Sequence, residues 1–186
     1  MRRLVVITVG KTHSGKSTFA RELEKQLSNS LIMDQDNHAA FIHTYYPKLQ
    51  PTIGSNKLKY AISQLIVDYI KENTNFHLII CNSNRSKAGR KYLLEQLFPK
   101  GQYTRIIVHF HIPDEVLQKR IKSTKRSTNI LRSAKDFAEV LARQNALSIY
   151  EDTAAPTADE ADYLFTMKNN EEVDAIIKRI VQLASG

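Results

Sequence analysis

Apolar residues in this chain fall into short unbroken runs separated by longer amphipathic stretches. Leu4–Val9 is a continuous, largely β-branched run, the pattern of a strand covered on both faces. Phe76–Cys81 and Arg105–Phe110 repeat it, and Leu31–Met33 and Ala161–Thr166 are weaker versions. Between these runs the period changes to that of a helix. Ser17–Leu27 spaces Phe19, Ala20, Leu23 and Leu27 along one face and stops at Ser28-Asn29-Ser30. Leu58–Ile70 carries Leu58, Ala61, Ile62, Leu65, Ile66 and Tyr69 in the same way, an amphipathic helix. A helix over Lys87–Leu97 is stopped by Pro99, and Pro113 suits the first turn of another through Ile121. Polar Ser123–Asn129 interrupts that helix, a further one is expected over Ala134–Tyr150, and Glu171–Leu183 closes the chain. Residues 37–56, broken by Pro47 and Pro51, read as mixed helix and loop. Strands alternating with helices predict parallel β-α-β units: an α/β sheet of five strands with helices on both faces. We find no internal repeat or linker, so residues 1–186 are expected to form one domain.

Composition narrows the class. With 186 residues, 42% of them apolar, the chain can bury one contiguous core. The lone Cys81 excludes a disulfide-stapled scaffold, and no apolar run approaches the roughly 20 residues of a membrane span. Arg2-Arg3 before Leu4–Ile7 imitates a signal peptide, but Gly10 and the lysines beyond cut the run short. A cytoplasmic protein without membrane contact is expected. The net charge of +8 is concentrated: residues 85–132 hold twelve Lys and Arg against three carboxylates. Such a segment suits polyanions, either nucleotide phosphates or a nucleic-acid backbone. A solvated helical face is the competing reading.

Gly10-Lys11-Thr12-His13-Ser14-Gly15-Lys16-Ser17-Thr18 contains G-x-x-x-x-G-K-[ST] between a predicted strand and a predicted helix, the context that makes this motif specific. Glycines let the backbone wrap closely, so that successive N–H groups and the helix start point at a phosphate. In this arrangement Lys16 neutralises the β- and γ-phosphate oxygens and the Ser17 hydroxyl ligates Mg²⁺. The loop predicts ATP with Mg²⁺.

Met33-Asp34-Gln35-Asp36-Asn37-His38 follows the second strand, whose end is expected beside that of the first. Two carboxylates one residue apart on extended backbone point the same way, and burying them together is costly without a cation. Asp34 is assigned to the Mg²⁺ shell through water. Asp36 is assigned to an acceptor hydroxyl, as the base that takes its proton. An Asx turn or a helix cap is the competing reading. The third strand ends Ile80-Cys81-Asn82, so the usual Walker B carboxylate is missing. Asn82, Asn84 and Arg85 follow at the carboxyl edge of the sheet, where they face an acceptor; a plain turn is the alternative. Cys81 is read as a small buried residue. Lys119-Arg120-Ile121-Lys122 and Lys125-Arg126, leading to Arg132, form a basic lid over about residues 120–134. Arg120 and Arg126 would close over the phosphates and exclude water.

On these residues the chain resembles the small P-loop kinases of the nucleoside, shikimate and polynucleotide kinase group, AAA-type ATP-binding kinase-like proteins. The resemblance follows the order phosphate loop, D-x-D after strand two, and K-R-x₅-R in the lid. The lid with Asn82 and Asn84 is particularly similar to the 5′-hydroxyl polynucleotide kinase domain. The loop and Met33–Asn37 resemble nicotinamide riboside and uridine kinases. The resemblance implies a P-loop NTPase three-layer α/β/α sandwich with sheet order 2-3-1-4-5. It further implies Lys16 and Ser17 on phosphate and Mg²⁺, Asp36 as base and Arg126 as lid arginine. Departures bear on the acceptor: Asn37, His38, Ala39 and Ala40 stand where polynucleotide kinases place an arginine, and residues 37–60 contain none. The expected function is a Mg²⁺-ATP kinase acting on a small nucleoside-like or polyol hydroxyl. A polynucleotide 5′-hydroxyl comes second, and an accessory nucleotide-binding NTPase third. Met167-Lys168-Asn169 is where an adenine is expected to rest.

Overall fold

The computed structural model describes residues 2–51, 54–131 and 133–185. Its frame is a sheet of five parallel strands: β1 Arg3–Gly10, β2 Ser30–Met33, β3 His77–Ile80, β4 Tyr103–Phe110 and β5 Tyr163–Met167. The order is β2-β3-β1-β4-β5. The second strand therefore pairs with the third (Met33↔Ile80) and not with the first, which corrects the expected neighbour of Asp34. Alternation inside the unbroken apolar runs sorts side chains to two cores. Leu4 and Val6 face one cluster with Ile79, Ile106 and Val108, while Val5, Ile7 and Val9 face another with Leu78, Ile80 and Ile107. All eleven are essentially fully buried.

Helices close both faces. On the first lie α1 (Lys16–Gln26), through Phe19, Ala20 and Leu23, and α7 (Val173–Ser185), through Ile176, Ile177 and Ile180, with Leu117 of α5 (Asp114–Ser123) and Leu141 of α6 (Phe137–Leu147). On the second lies α3 (Lys57–Asn73), through Val67 and Ile70, beside Leu94, Leu97 and Phe98. Residues 37–56, expected as mixed helix and loop, begin inside a regular α2, Gln35–Tyr45, which is followed by a 3-10 turn at Pro47–Leu49. The helix expected over 87–97 is α4, Lys87–Lys91, continuing as a π-helical turn over Tyr92–Leu97. The helix expected from Ala134 begins at Phe137, because Asp136 caps it by accepting the Glu139 N–H at 2.8 Å. A 3-10 turn over Asn170–Glu172 precedes α7.

Two cations of the basic segment belong to the core. Arg90 is fully buried against Glu160, Nε to Oε2 at 2.7 Å and Nη2 to Oε1 at 2.9 Å. Arg105 pairs with Asp162, Nε to Oδ2 at 3.3 Å. Lys87 and Lys91 lie at 4.0 and 3.9 Å from Glu151 and Glu95. Three cations of the segment, Lys87, Arg90 and Arg105, are thus matched by carboxylates from outside it, whereas Glu95 lies one turn from Lys91 within it. Arg3, which imitated the start of a signal peptide, caps α3 through the carbonyls of Lys71 and Thr74. Among the described residues no helix is long and apolar enough to cross a membrane.

Candidate functional site

The carboxyl ends of β1 and β3 open into a cleft of about 1570 Å³, the position the parallel topology makes available. Gly10 ends β1 against Phe110, its register partner on β4. A Cβ there would lie 2.9 Å from both Phe110 Cβ and Ser14 Oγ, so only glycine lets the loop start this close to the sheet. Gly15, with φ of 101°, turns the loop into α1 without a side-chain cap, leaving the first-turn N–H dipoles for an anion. Lys11 is held by Asp114 at 2.7 Å, and the Thr12 N–H donates to Gln144 Oε1 at 2.7 Å. Ser14 is buried, while Thr18 is exposed at the cleft. Lys16 Nζ folds back on the Lys11 carbonyl at 2.6 Å and Ser14 Oγ at 3.2 Å. Burial pulls its ammonium down to about 8, against the opposing pull of Asp36 and Asp34.

Asp34 caps α2, its Oδ1 accepting the Asp36 N–H at 2.9 Å. The cap read as an alternative is therefore present, and the same carboxylate lines the cleft beside Cys81. Burial, and then the neighbouring Asp36, raise its pKa. Cys81 is pushed up to about 11 by burial and Asp34, and its thiol reaches Ser17 Oγ at 3.7 Å, consistent with a buried residue and not a nucleophile. Asp36 meets the lid directly: Arg126 Nη2 lies 2.5 Å from its Oδ2. Arg126 also lies over the Phe137 ring, 5.3 Å from its centroid. Arg120 Nη1 donates to the His13 carbonyl at 3.1 Å and Nη2 to Asn170 Oδ1 at 2.9 Å. Arg132 lies outside the described residues.

The loop after β3 mixes roles. Asn82 Nδ2 faces Gln35 Oε1 at 3.4 Å, and its buried Oδ1 has no partner. Asn84, at φ of 42°, gives its amide to the Thr8 carbonyl at 2.9 Å, so that N–H₂ group ties the turn to β1 as well as bordering the cleft. Arg85 donates to Ser148 Oγ at 2.7 Å. Met167, buried, also borders the cleft, whereas Lys168 and Asn169 are engaged in the turn before α7 through Glu172 and Glu171. Sequence reasoning passed over a further part of the cleft lining, formed by Lys59, Tyr60 and Gln64 of α3 with Tyr92 of the π-helical turn. Tyr92 Oη donates to Gln64 Oε1 at 3.4 Å. It also passed over Phe137 and Gln144, which α6 lays on the phosphate loop. The i,i+4 spacing of Tyr60 and Gln64 was the only available signal.

The AAA domain family profile matches residues 5–155. This chain belongs to the AAA domain family. No curated protein is matched by its sequence. This AAA domain is similar in structure to shikimate kinase from Bacteroides thetaiotaomicron, at 12% identity and a TM-score of 0.57, covering 98% of this chain and 99% of that one. It is also similar to Chaetomium thermophilum Kti12 solved with ADP-AlF3, at 14% identity, a TM-score of 0.60 and 95% and 96% coverage. A third is the Mycobacterium tuberculosis APS kinase CysC solved with AMPPNP and APS, at 15%, 0.58, and 100% and 99% coverage. These likenesses establish the P-loop NTPase α/β fold, and the expected strand order is the observed one.

Among the described residues of this AAA domain, no cluster of three or more His, Cys, Asp or Glu could hold a metal. A divalent cation here would rest on few protein oxygens, with phosphate and water completing its shell. That is the habit of Mg²⁺. Ser17 Oγ and the Asp34 carboxylate are hard oxygen donors of this kind, so the residues present fit the ion.

Proposed function

We propose that this chain is a Mg²⁺-ATP-dependent kinase that transfers the γ-phosphate to a hydroxyl of a small nucleoside-like or polyol acceptor. One observation carries the reading: Lys16 on α1, Asp36 on α2 and Arg126 of the lid line a single cleft, with Arg126 bonded to Asp36. The loop N–H groups and Lys16 hold the β- and γ-phosphates, and Ser17, with Asp34 through water, would hold Mg²⁺. When bound, the ion would neutralise charge on the phosphate oxygens. Asp36 orients the acceptor hydroxyl and takes its proton as the acceptor oxygen bonds to the γ-phosphorus. The bond to the β,γ-bridging oxygen breaks and ADP leaves. Arg120 and Arg126 counter the charge on the transferring group. The acceptor lies between Asp36 and the wall of Tyr60, Gln64 and Tyr92, bordered by Asn82, Asn84 and Arg85.

The cleft volume supports two ligands, since a single-ligand site is roughly 300–1000 Å³. A small acceptor is favoured over a polynucleotide because Arg90 and Arg105 are engaged with Glu160 and Asp162. The test is ADP release with Mg²⁺-ATP across nucleosides, sugars, small hydroxylated metabolites and a 5′-hydroxyl oligonucleotide, with Lys16→Ala as blank. One acceptor class should stimulate release, and Lys16→Ala should abolish it. Slow hydrolysis indifferent to every acceptor would overturn the kinase reading in favour of an accessory NTPase.

A further inference from the structure

We propose that His13 is a positioning residue for the lid, and that its ring guides Arg126 between Asp36 and the phosphates. The inference rests on the reading of residues 10–18 as an ATP site. Four observations converge on this residue. His13 has φ of 57°, a left-handed conformation natural to glycine and uncommon for other residues, which His adopts more readily than most. A non-glycine residue at a glycine-like position of a phosphate loop directs attention to its side chain. Its ring meets Phe137 edge-on, centroids 4.7 Å apart and planes at 69°, and the Phe137 ring also carries Arg126. Its carbonyl accepts from Arg120. Its Nδ1 lies 3.0 Å from Thr12 Oγ1, whereas Nε2 is buried without a partner.

These contacts form one path from phosphate loop to base: His13, Phe137, Arg126, Asp36. An arginine bonded to Asp36 occupies the group assigned to the acceptor and is absent from the phosphates. Turnover therefore requires Arg126 to leave Asp36, and the Phe137 ring is the surface it pivots on. We assign the Nδ1–H to Thr12 Oγ1, which makes Nε2 an acceptor with no partner of its own. Burial, and then the charges of Arg126, Lys16 and Arg120, lower the pKa of the ring. A guanidinium moved from Asp36 towards the loop supplies the missing donor. A buried orphan acceptor is unfavourable, so the arrangement favours that move.

The test uses His13→Gly, which suits the backbone, and His13→Asn, which tolerates the same φ but removes the ring. Steady-state kinetics on the best acceptor, or intrinsic ATP hydrolysis, are read together with hydrogen exchange of Thr124–Leu131 with and without ATP. Both variants should hold the KM for ATP within about threefold while kcat falls at least tenfold, and should lose ATP-dependent protection of the lid. His13→Gly combined with Phe137→Leu should be strongly non-additive in kcat. Wild-type kcat with full protection, an effect confined to KM, or additive losses would each overturn the proposal. Failure of wild type itself to bind ATP would instead remove the kinase reading.

Discussion

Arg90 and Glu160 allow a quantitative prediction, because the geometry leaves little freedom. The guanidinium is wholly buried and bidentate on a carboxylate that retains 14% side-chain exposure. It also donates to the carbonyls of Arg85 at 2.8 Å and Ala154 at 3.2 Å. Glu160→Gln conserves shape but sets an amide N–H₂ against guanidinium N–H groups and leaves the buried charge uncompensated. Removing one partner of such a pair costs about 3–5 kcal/mol. The two carbonyls still satisfy part of Arg90, so the lower end, about 3 kcal/mol, is expected. For a domain of this size that corresponds to a fall in Tm of roughly 6–12 °C. Urea denaturation followed by circular dichroism should show an earlier midpoint with unchanged slope. Adding Arg90→Met should recover more than about 1 kcal/mol, because the orphaned charge disappears. Burial works to raise the Glu160 pKa, and the Arg90 hydrogen bonds outweigh it and hold it below 4.5. The contribution of the pair is then complete above the unfolded value and is lost as pH falls through the lower folded value. The gap between wild type and Glu160→Gln should accordingly narrow in acid. A midpoint shift worth under about 0.5 kcal/mol at pH 7, the size of an ordinary surface substitution, would refute the argument.

The site yields further expectations. Asp36→Asn should lower transfer by about 10²–10⁴-fold, the usual weight of a general base, while ATP still binds in a titration. Equal transfer would remove Asp36 from the chemistry. Lys16, with its pKa lowered to about 8, should bind ATP with constant affinity below that pH. Above it the affinity should weaken towards tenfold per unit, because binding must take up a proton, and calorimetry in buffers of different ionisation enthalpy should detect that uptake. Between about 8 and 10.5 the unfolded chain holds the proton that the folded one has lost, so this group's contribution to stability rises with pH. Gly15→Ala and Gly101→Ala both force a side chain into φ near 100° and should each cost about 1–2 kcal/mol. Only Gly15→Ala, whose Cβ would lie 3.7 Å from Arg120 Nη1, should also impair ATP binding.

What could be read from the chain alone were features with a local physical cause. The unbroken runs at Leu4–Val9 and Arg105–Phe110 identify strands buried on both faces. The G-x-x-x-x-G-K-S spacing identifies a loop built for phosphate, because the glycines at 10 and 15 are needed where the chain lies against Phe110 and turns at φ of 101°. Asp36 and Arg126 were legible as candidates for the same reason, since their residue types and places after predicted elements suit the chemistry. Their direct bond was not, because it joins residues 90 positions apart. The same limit explains the basic segment: from the sequence Arg90 and Arg105 are indistinguishable from Arg120 and Arg126, and only the carboxylates delivered by residues 160 and 162 separate structural cations from those at the cleft. His13 is likewise one of four variable loop positions until α6 brings Phe137 against it. Local periodicity and motif spacing thus determine the elements and the phosphate loop, since both arise from neighbouring residues. The partners of each charge and ring are decided by tertiary structure, because burial and pairing depend on elements the chain brings back from far away.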